Sequence, residues 1–271
     1  MRVASGAGPA YLFCPADRPE RFAKAAAVAD VVIVDLEDGV GSEHREAARR
    51  HVLAATLDPA RTIVRVNPVG SIDHAADVDA VSRSAFDTVM LAKTASADEV
   101  RSLADFAVVA LCETPEGIAA VDEIAACENT VGVMWGSEDL VAALGGYSSR
   151  HDDDSLRDVA RYARARTLIA ARSHHRIALD AAYLDFANLE GLSREATDAA
   201  AMGFTGTPCV HPTQIAVVRA AYFPTPAQVD WARRVLEAAA GRDGVFRLDG
   251  RMVDGPVVAQ AHHILERTAL T

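Results

Sequence analysis

The chain alternates short apolar runs with longer stretches of helical periodicity. Runs rich in β-branched residues fall at 11–15 (YLFCP), 31–36 (VVIVDL), 62–67 (TIVRVN) and 88–93 (TVMLAK). Four more follow at 108–113 (VVALCE), 131–136 (VGVMWG), 178–186 (ALDAAYLDF) and 207–210 (TPCV). Between them, segments such as 43–55, 97–104, 116–127 and 155–173 carry apolar positions every three or four residues, which predicts amphipathic helices. Near-continuous apolar strands separated by helices predict a parallel sheet covered on both faces. Eight such units in roughly 210 residues point to an α/β fold of the closed (β/α)8 type, the TIM barrel. The competing open, doubly wound sheet would want a GxGxxG after its first strand, and none is there.

After the eighth run the pattern changes. Residues 213–240 read as helices interrupted at YFPTPAQ, where two prolines punctuate. GRDGVFRLDGRMVDGPVV then reads as a turn, a short strand, a second turn and another strand, and 256–268 as a last helix. The barrel is therefore expected over 1–212. The tail, 213–271, has too little apolar sequence for an independent core and is expected to act as a lid or an oligomer arm.

Barrels of this kind build their sites at the C-terminal ends of the strands. Those ends carry, in order, CPADRPERFAKA, DLEDG, Arg65 with Asn67, Lys93, Glu113, GSED and CVHPTQ. Chance placement would scatter such groups; here nearly every strand delivers one. Glu113 and Asp139 close neighbouring strands, which lie about 4.8 Å apart, so their carboxylates can share one cation. An all-oxygen set with no His or Cys beside it favours Mg²⁺, with Mn²⁺ as an alternative, over zinc. Glu37 and Asp38 would then hydrogen-bond the metal's waters. The plainer roles are a helix N-cap for Asp139 and an ion pair with Arg65 for Glu113.

Arg65 emerges from an apolar strand, where a bare guanidinium is costly, and a bidentate clamp on a substrate carboxylate would stabilise it. A structural pair with Glu37 or Glu113 is the compatible alternative. Arg18, Arg21 and Lys24 follow the first strand and, with Lys93, are candidates for a basic rim that takes phosphates; a solvated helix face fits the spacing of the first three equally. Lys24 and Lys93 are the only lysines. A Schiff-base aldolase would have to use Lys93, which the metal constellation makes unnecessary. His211 either has a role in the mouth or holds loop backbone. His174 and His175 sit at a helix end with no chemical role, and Trp135 is expected in the top layer of the barrel interior.

Composition narrows the partners. Half of the residues are apolar and the net charge is −11, which excludes a general nucleic-acid or anionic-membrane binder but not a phosphorylated small molecule. No stretch is long and apolar enough to span a bilayer, and MRVASGAGPA has no signal-peptide core. Cys14, Cys112, Cys127 and Cys209 show no metal-ligand spacing, which fits reduced thiols in a cytoplasmic protein.

Taken together, LFCPADRPERFAKA, VVIVDLEDGV, TIVRVN, VMLAK, ALCETPEG, WGSEDL, CVHPTQ and GRMVDGPVV resemble the citrate lyase beta-subunit-like branch of the HpcH/HpaI aldolase superfamily, in order and spacing from about residue 10 to 265. The resemblance implies a Mg²⁺-dependent carbon–carbon lyase acting on 3-hydroxyacyl-CoA thioesters such as malyl-, citramalyl-, citryl- or 3-hydroxy-3-methylglutaryl-CoA. It also implies products comprising a small 2-oxo acid (or 3-oxo acid) and a short acyl-CoA, and assembly as a homotrimer or hexamer. Residue by residue it makes Glu113 and Asp139 the metal ligands, Arg65 the clamp for the oxo-acid carboxylate, and Asp254 in MVDGP the lid acid that moves a proton at the thioester α-carbon. Arg18, Lys24 and Lys93 would face the coenzyme A nucleotide. Where relatives often read MLPKxES this chain has MLAKTAS, which bears on the coenzyme A side and not on the metal pair. Two alternatives accompany this reading: a metal-dependent aldolase of free 4-hydroxy-2-oxo acids, and a carrier-protein-dependent subunit of a citrate lyase complex.

Overall fold

The computed structural model describes residues 7–242 and 244–268. Its sheet has eight strands: β1 Ala10–Pro15, β2 Val31–Asp35, β3 Thr62–Val66, β4 Thr88–Leu91, β5 Ala107–Cys112, β6 Thr130–Trp135, β7 Ile177–Leu179 and β8 Thr207–Cys209. Each pairs in parallel with the next as far as β7, and β1 pairs with β8. The ring closes between β7 and β8 through a single parallel bridge, Leu179 to Gly206. Hydrogen bonds from Thr205 N–H to the Ala178 carbonyl (2.8 Å) and from Asp180 N–H to the Gly206 carbonyl (3.0 Å) support it. The barrel is thus closed, and its seam is the shortest pairing in it.

The helices are α1 Phe22–Val28, α2 Arg45–Ala54, α3 His74–Ser82, α4 Ala97–Arg101, α5 Pro115–Ala119, α6 Val121–Ala126, α7 Ser137–Ala143, α8 Asp158–Ser173, α9 Leu189–Met202 and α10 Ile215–Tyr222. Side-chain alternation along the strands sorts the core into two layers. One layer contains buried strand residues alone (Tyr11, Val31, Ile33, Ile63, Met90, Val109, Leu111, Met134 and Leu179) and fills the barrel interior. The other joins the opposite strand faces (Leu12, Val32, Val34, Val64, Val89, Val133) to helix residues such as Val52, Val81, Ile124 and Ala163.

The structure corrects three expectations. The run 178–186 holds strand geometry only to Leu179, because the Asp180 side chain turns outward and accepts from Trp135 Nε1 (2.7 Å) and from Arg164 Nε and Nη2 (3.0 and 2.7 Å). Trp135 therefore faces the helices and not the barrel interior, since the alternation places Met134 inward. The stretch 116–127 is two helices, α5 and α6, broken at Ala120, whose φ and ψ are −93° and 5°.

Beyond α10 lie α11 Pro226–Ala239, the antiparallel hairpin β9 Phe246–Leu248 and β10 Arg251–Val253, and α12 Gly255–Thr268. A Thr225–Gln228 capping box starts α11, with Pro226 at its first position. Ala232, Val235, Val253 and Ala261 are buried together, with Trp231, Phe246, Leu248 and Ile264 packed around them. The tail thus has a small apolar cluster of its own. All four cysteines are buried and free, and no helix among the described residues is long and apolar enough to cross a membrane.

Asp180 is nearly inaccessible, and its charge is balanced by Arg164, which also reaches Asp198 Oδ2 at 2.6 Å. Removing the cation leaves a buried carboxylate unpaired beside the barrel seam. Arg164→Met should therefore lower unfolding free energy by about 3–5 kcal/mol, read as a fall in the urea midpoint at unchanged m-value.

Candidate active site

The inward-facing series of β2 and β3 runs on into charge. Asp35 follows Val31 and Ile33 on β2, Arg65 follows Ile63 on β3, and the parallel register sets Asp35 and Arg65 opposite each other. Arg65 Nε and Nη2 each donate to one Asp35 oxygen at 2.6 Å. Glu37 Oε2 lies 3.1 Å from Nη1, and the Phe13 ring packs 4.8 Å from the guanidinium carbon. Asp35 also accepts from the backbone N–H groups of Glu37 (3.0 Å) and Gly39 (2.9 Å), and a Cβ at position 39 would collide with its Oδ2. Burial works against the Arg65 charge, but Asp35 outweighs it and lifts the guanidinium further above its ordinary pKa. One edge of the guanidinium fork is thereby occupied by Asp35. At the other end, Nη1 is next to Glu37 while Nη2 is already bonded to Asp35.

Lys93 lies just past β4 with φ +50°, a conformation that side chains other than glycine seldom adopt. Its ammonium bonds Glu37 Oε1 and Asp38 Oδ2 (3.1 Å) and lies 3.4 Å from Asp139 Oδ1. Burial disfavours the charge, yet Glu37, then Glu113 and Asp139, raise the Lys93 pKa. An amine held protonated in this way is a poor nucleophile, which argues against Schiff-base chemistry.

Glu113 continues the inward series Val109 and Leu111 of β5. It is only 4% exposed, and the one donor that reaches it is the Lys93 backbone N–H at 3.3 Å. Burial, reinforced by Asp139, pushes its carboxyl up to about 8. Gly136 follows β6 beside it, and a Cβ there would lie 2.5 Å from Glu113 Oε2. Asp139 belongs to the first turn of α7, one strand over, but Gly136 occupies the N-cap position, so Asp139 is not the cap. A poorly solvated carboxylate with a second one beside it is a donor set for a hard cation. Two carboxylates alone fit an ion that takes few protein ligands and fills its shell with water and substrate, as Mg²⁺ does; among the described residues no group of three His, Cys, Asp or Glu side chains is placed to hold a metal.

The structure thus brings together Arg65, Glu37, Asp38, Lys93, Glu113 and Asp139, and adds Asp35, Phe13 and Gly136. Asp35 could have been found by pairing strand ends across a parallel register; Phe13 and Gly136 carry no chemical signal in the sequence. Arg18 is largely exposed, 3.9 Å from Asp17, and Lys24 is exposed on α1. Neither is joined to Lys93, whose ammonium faces the acidic residues. His211 caps the turn after β8, accepting from Thr213 N–H, and stacks on Phe186 at 5.1 Å. Asp254 starts α12 and accepts from Val257 N–H at 3.4 Å. The far end of α12 packs at the opposite, N-terminal end of the barrel, where Arg267 reaches the Phe204 carbonyl.

A closed eight-stranded α/β barrel with a carboxylate pair and a guanidinium at its C-terminal mouth is the frame of a metal-assisted lyase or aldolase. Residues 10–212 match the HpcH/HpaI aldolase/citrate lyase model, and the chain belongs to that family. It is a carbon–carbon lyase. A citrate lyase subunit beta-like protein of Mycobacterium tuberculosis is 54% identical, with 96% of each chain covered. The human mitochondrial citramalyl-CoA lyase is 30% identical over 94% of this chain and 83% of that one. The crystal structure of CitE from M. tuberculosis in complex with magnesium, acetoacetate and coenzyme A superposes with a TM-score of 0.94 at 54% identity, covering 96% of this chain and 98% of that one.

The raised Glu113 carboxyl has a consequence for stability. Between the ordinary glutamate range and about 8, the folded state holds a proton that the unfolded chain has lost, so stability falls as pH rises through that window. In EDTA, urea unfolding from pH 5 to 8 should show wild type losing several kcal/mol relative to Glu113→Gln. Saturating Mg²⁺ should flatten the slope. Parallel pH profiles for the two metal-free proteins would refute the assignment.

Proposed function

We propose that this protein cleaves, or forms, a 3-hydroxyacyl-CoA thioester in a Mg²⁺-dependent reaction, with a small 2-oxo acid (or 3-oxo acid) and a short acyl-CoA on the other side. The observation that carries the proposal is Glu113: a carboxylate buried at a strand end, beside Asp139, with one weak backbone donor. The citramalyl-CoA lyase relative and the relative in complex with magnesium, acetoacetate and coenzyme A support the choice of thioester and metal.

In this reading Glu113 and Asp139 would hold Mg²⁺, which when bound would supply Lewis-acid chemistry to the oxo-acid portion. Arg65 holds that portion's carboxylate, with Asp35 and Phe13 fixing the guanidinium in place. Glu37 and Asp38 accept hydrogen bonds from water around the cation, and Lys93 keeps them from repelling one another. Cleavage breaks the bond between the α-carbon and the hydroxyl-bearing carbon. The hydroxyl gives its proton to water in the mouth and becomes the oxo group of the released acid, and the bonding pair moves into the thioester as an enolate. An acid must then protonate the α-carbon, and Asp254 takes that role.

Asp254 sits at the start of α12, whose other end docks at the N-terminal end of its own barrel, away from the mouth. This favours action in a neighbouring subunit of a homotrimer or hexamer, where the hairpin would also close the site against water. A carboxylate enclosed in that way becomes more basic and better matched to a thioester α-proton.

The purified chain should cleave at least one of malyl-, citramalyl-, citryl- and 3-hydroxy-3-methylglutaryl-CoA, lose activity in EDTA and regain it with Mg²⁺ or Mn²⁺. Cleavage of free 4-hydroxy-2-oxo acids alone would favour the aldolase reading, and activity only on acyl carrier protein thioesters would favour a complex subunit. Full activity of metal-free Glu113→Ala would sink the metal site.

Asp254→Ala and Glu113→Ala should each be inactive and should complement when unfolded and reassembled together, because some mixed oligomers pair an intact mouth with an intact lid. Mixed oligomers that form but stay dead would place Asp254 in its own subunit's site or outside catalysis.

A further inference from the structure

A cleft of about 930 Å³ lies at the N-terminal end of the barrel, between the starts of β1, β7 and β8 and the tail helices. Its charge runs against that of the rest of the molecule. In a chain of net charge −11, the cleft is lined by Arg172, Arg176 and Arg267, with Glu266 as its one acidic residue among the described residues. Glu266 is engaged by His263 Nδ1 at 3.2 Å. Arg176 donates to two backbone carbonyls, of Ala125 (3.0 Å) and Cys127 (2.8 Å), so its charge is not neutralised. Arg267 is only partly exposed, and among the described residues its one hydrogen bond is to the Phe204 carbonyl at 3.5 Å. Among the described residues neither Arg172 nor Arg267 has a carboxylate partner.

These two arginines repel each other: burial, together with Arg172, lowers the Arg267 pKa, and only Tyr222 opposes it. Arg172 occupies the last turn of α8, where a cation complements the helix dipole. That accounts for Arg172 but not for a second, half-buried guanidinium facing it from α12. A partly buried cation with a like charge in the same cleft and no counterion is unfavourable, and a bound oxyanion bridging Arg267 to the exposed Arg172 would remove the conflict.

We infer that this cleft binds an organic phosphate of about nucleotide size, its phosphates held between Arg172 and Arg267. The volume lies near the upper end of the range for small-molecule sites, roughly 300–1,000 Å³, and exceeds what an inorganic ion fills. Away from the arginines the wall turns apolar at Phe223 and Ile264, with the carboxamides of Gln228 and Gln260 to bond a polar edge. Because the ligand would touch both the barrel and α12, its binding would also tie the tail to the barrel.

The test is calorimetric titration of the full-length protein in EDTA with ATP, pyrophosphate and adenosine. ATP should bind at least about tenfold more tightly than pyrophosphate, adenosine should give no measurable heat, and ATP affinity should fall with rising salt. Arg172→Gln/Arg267→Gln should weaken ATP binding at least tenfold. Arg172→Gln alone, a surface change that leaves packing intact, should show a partial loss. Arg83→Gln, an exposed arginine at the end of α3, should bind as wild type does. No binding to the wild type, equal binding by the double variant, or a loss in Arg83→Gln instead would overturn the site. Pyrophosphate binding as tightly as ATP would overturn the organic class of the ligand.

Discussion

The mouth of the barrel is organised around the shortage of solvent at Glu113. A carboxylate that leaves water for the end of a packed strand forfeits hydration that a single backbone N–H cannot replace. The neighbouring acids are treated differently. Asp35 receives two Arg65 donors and two backbone N–H groups, and Glu37 receives Lys93 and the flank of Arg65. Glu113 lies next to the same two cations and is bonded by neither side chain. The poorly compensated carboxylate is therefore localised, beside Asp139 and within the field of Arg65 and Lys93 but without a side-chain bond from either. A divalent ion placed there would complete the pairing that the protein's own cations leave open.

That arrangement rests on strand alternation more than on any one contact. Val31, Ile33 and Asp35, then Ile63 and Arg65, then Val109, Leu111 and Glu113 are three inward series. In each, the last member is charged and the earlier ones fill the interior. A slip of one residue in the pairing of any of these strands would turn its charge toward the helices. The apolar residues below are thus what fixes the polar ones above, and packing and site are specified by the same two-residue period.

This explains what was legible in the sequence. Eight apolar runs with polar ends are a strong signal for a barrel, and the convergence of Arg65, Glu113 and Asp139 follows once the strands are aligned. The run 178–186 misled because its apolar content continues past Leu179, while the event that ends the strand is a long-range bond from Asp180 to Arg164 and Trp135, 16 and 45 residues away. Trp135 misled for the same reason: its place outside the ring is set by register and not by its size. The partnership of Arg65 with Asp35 needed the pairing of β2 with β3, which composition does not contain. The basic rim of Arg18, Lys24 and Lys93 looked coherent because all three follow strand ends in the sequence. In three dimensions Lys93 turns inward to the acidic residues, and the other two stay in solvent.

Lys93 also shows how residue choice follows from geometry. All but two of the 27 basic residues are arginine, so lysine at this position stands against the habit of the chain. Arginine suits Asp35, where two parallel donors meet one carboxylate in a plane, but a planar fork cannot turn toward three carboxylates that approach from different elements. Glu37 and Asp38 come from the loop after β2 and Asp139 from α7, and all three face one ammonium. A compact charge with three rotatable donors meets that requirement. The left-handed backbone at Lys93 has a matching effect, since it turns the residue's own N–H toward Glu113 while the side chain extends to the other acids. One residue in an unfavourable conformation thus contacts all four carboxylates of the proposed metal site, and the strain of holding it there is offset by keeping them together.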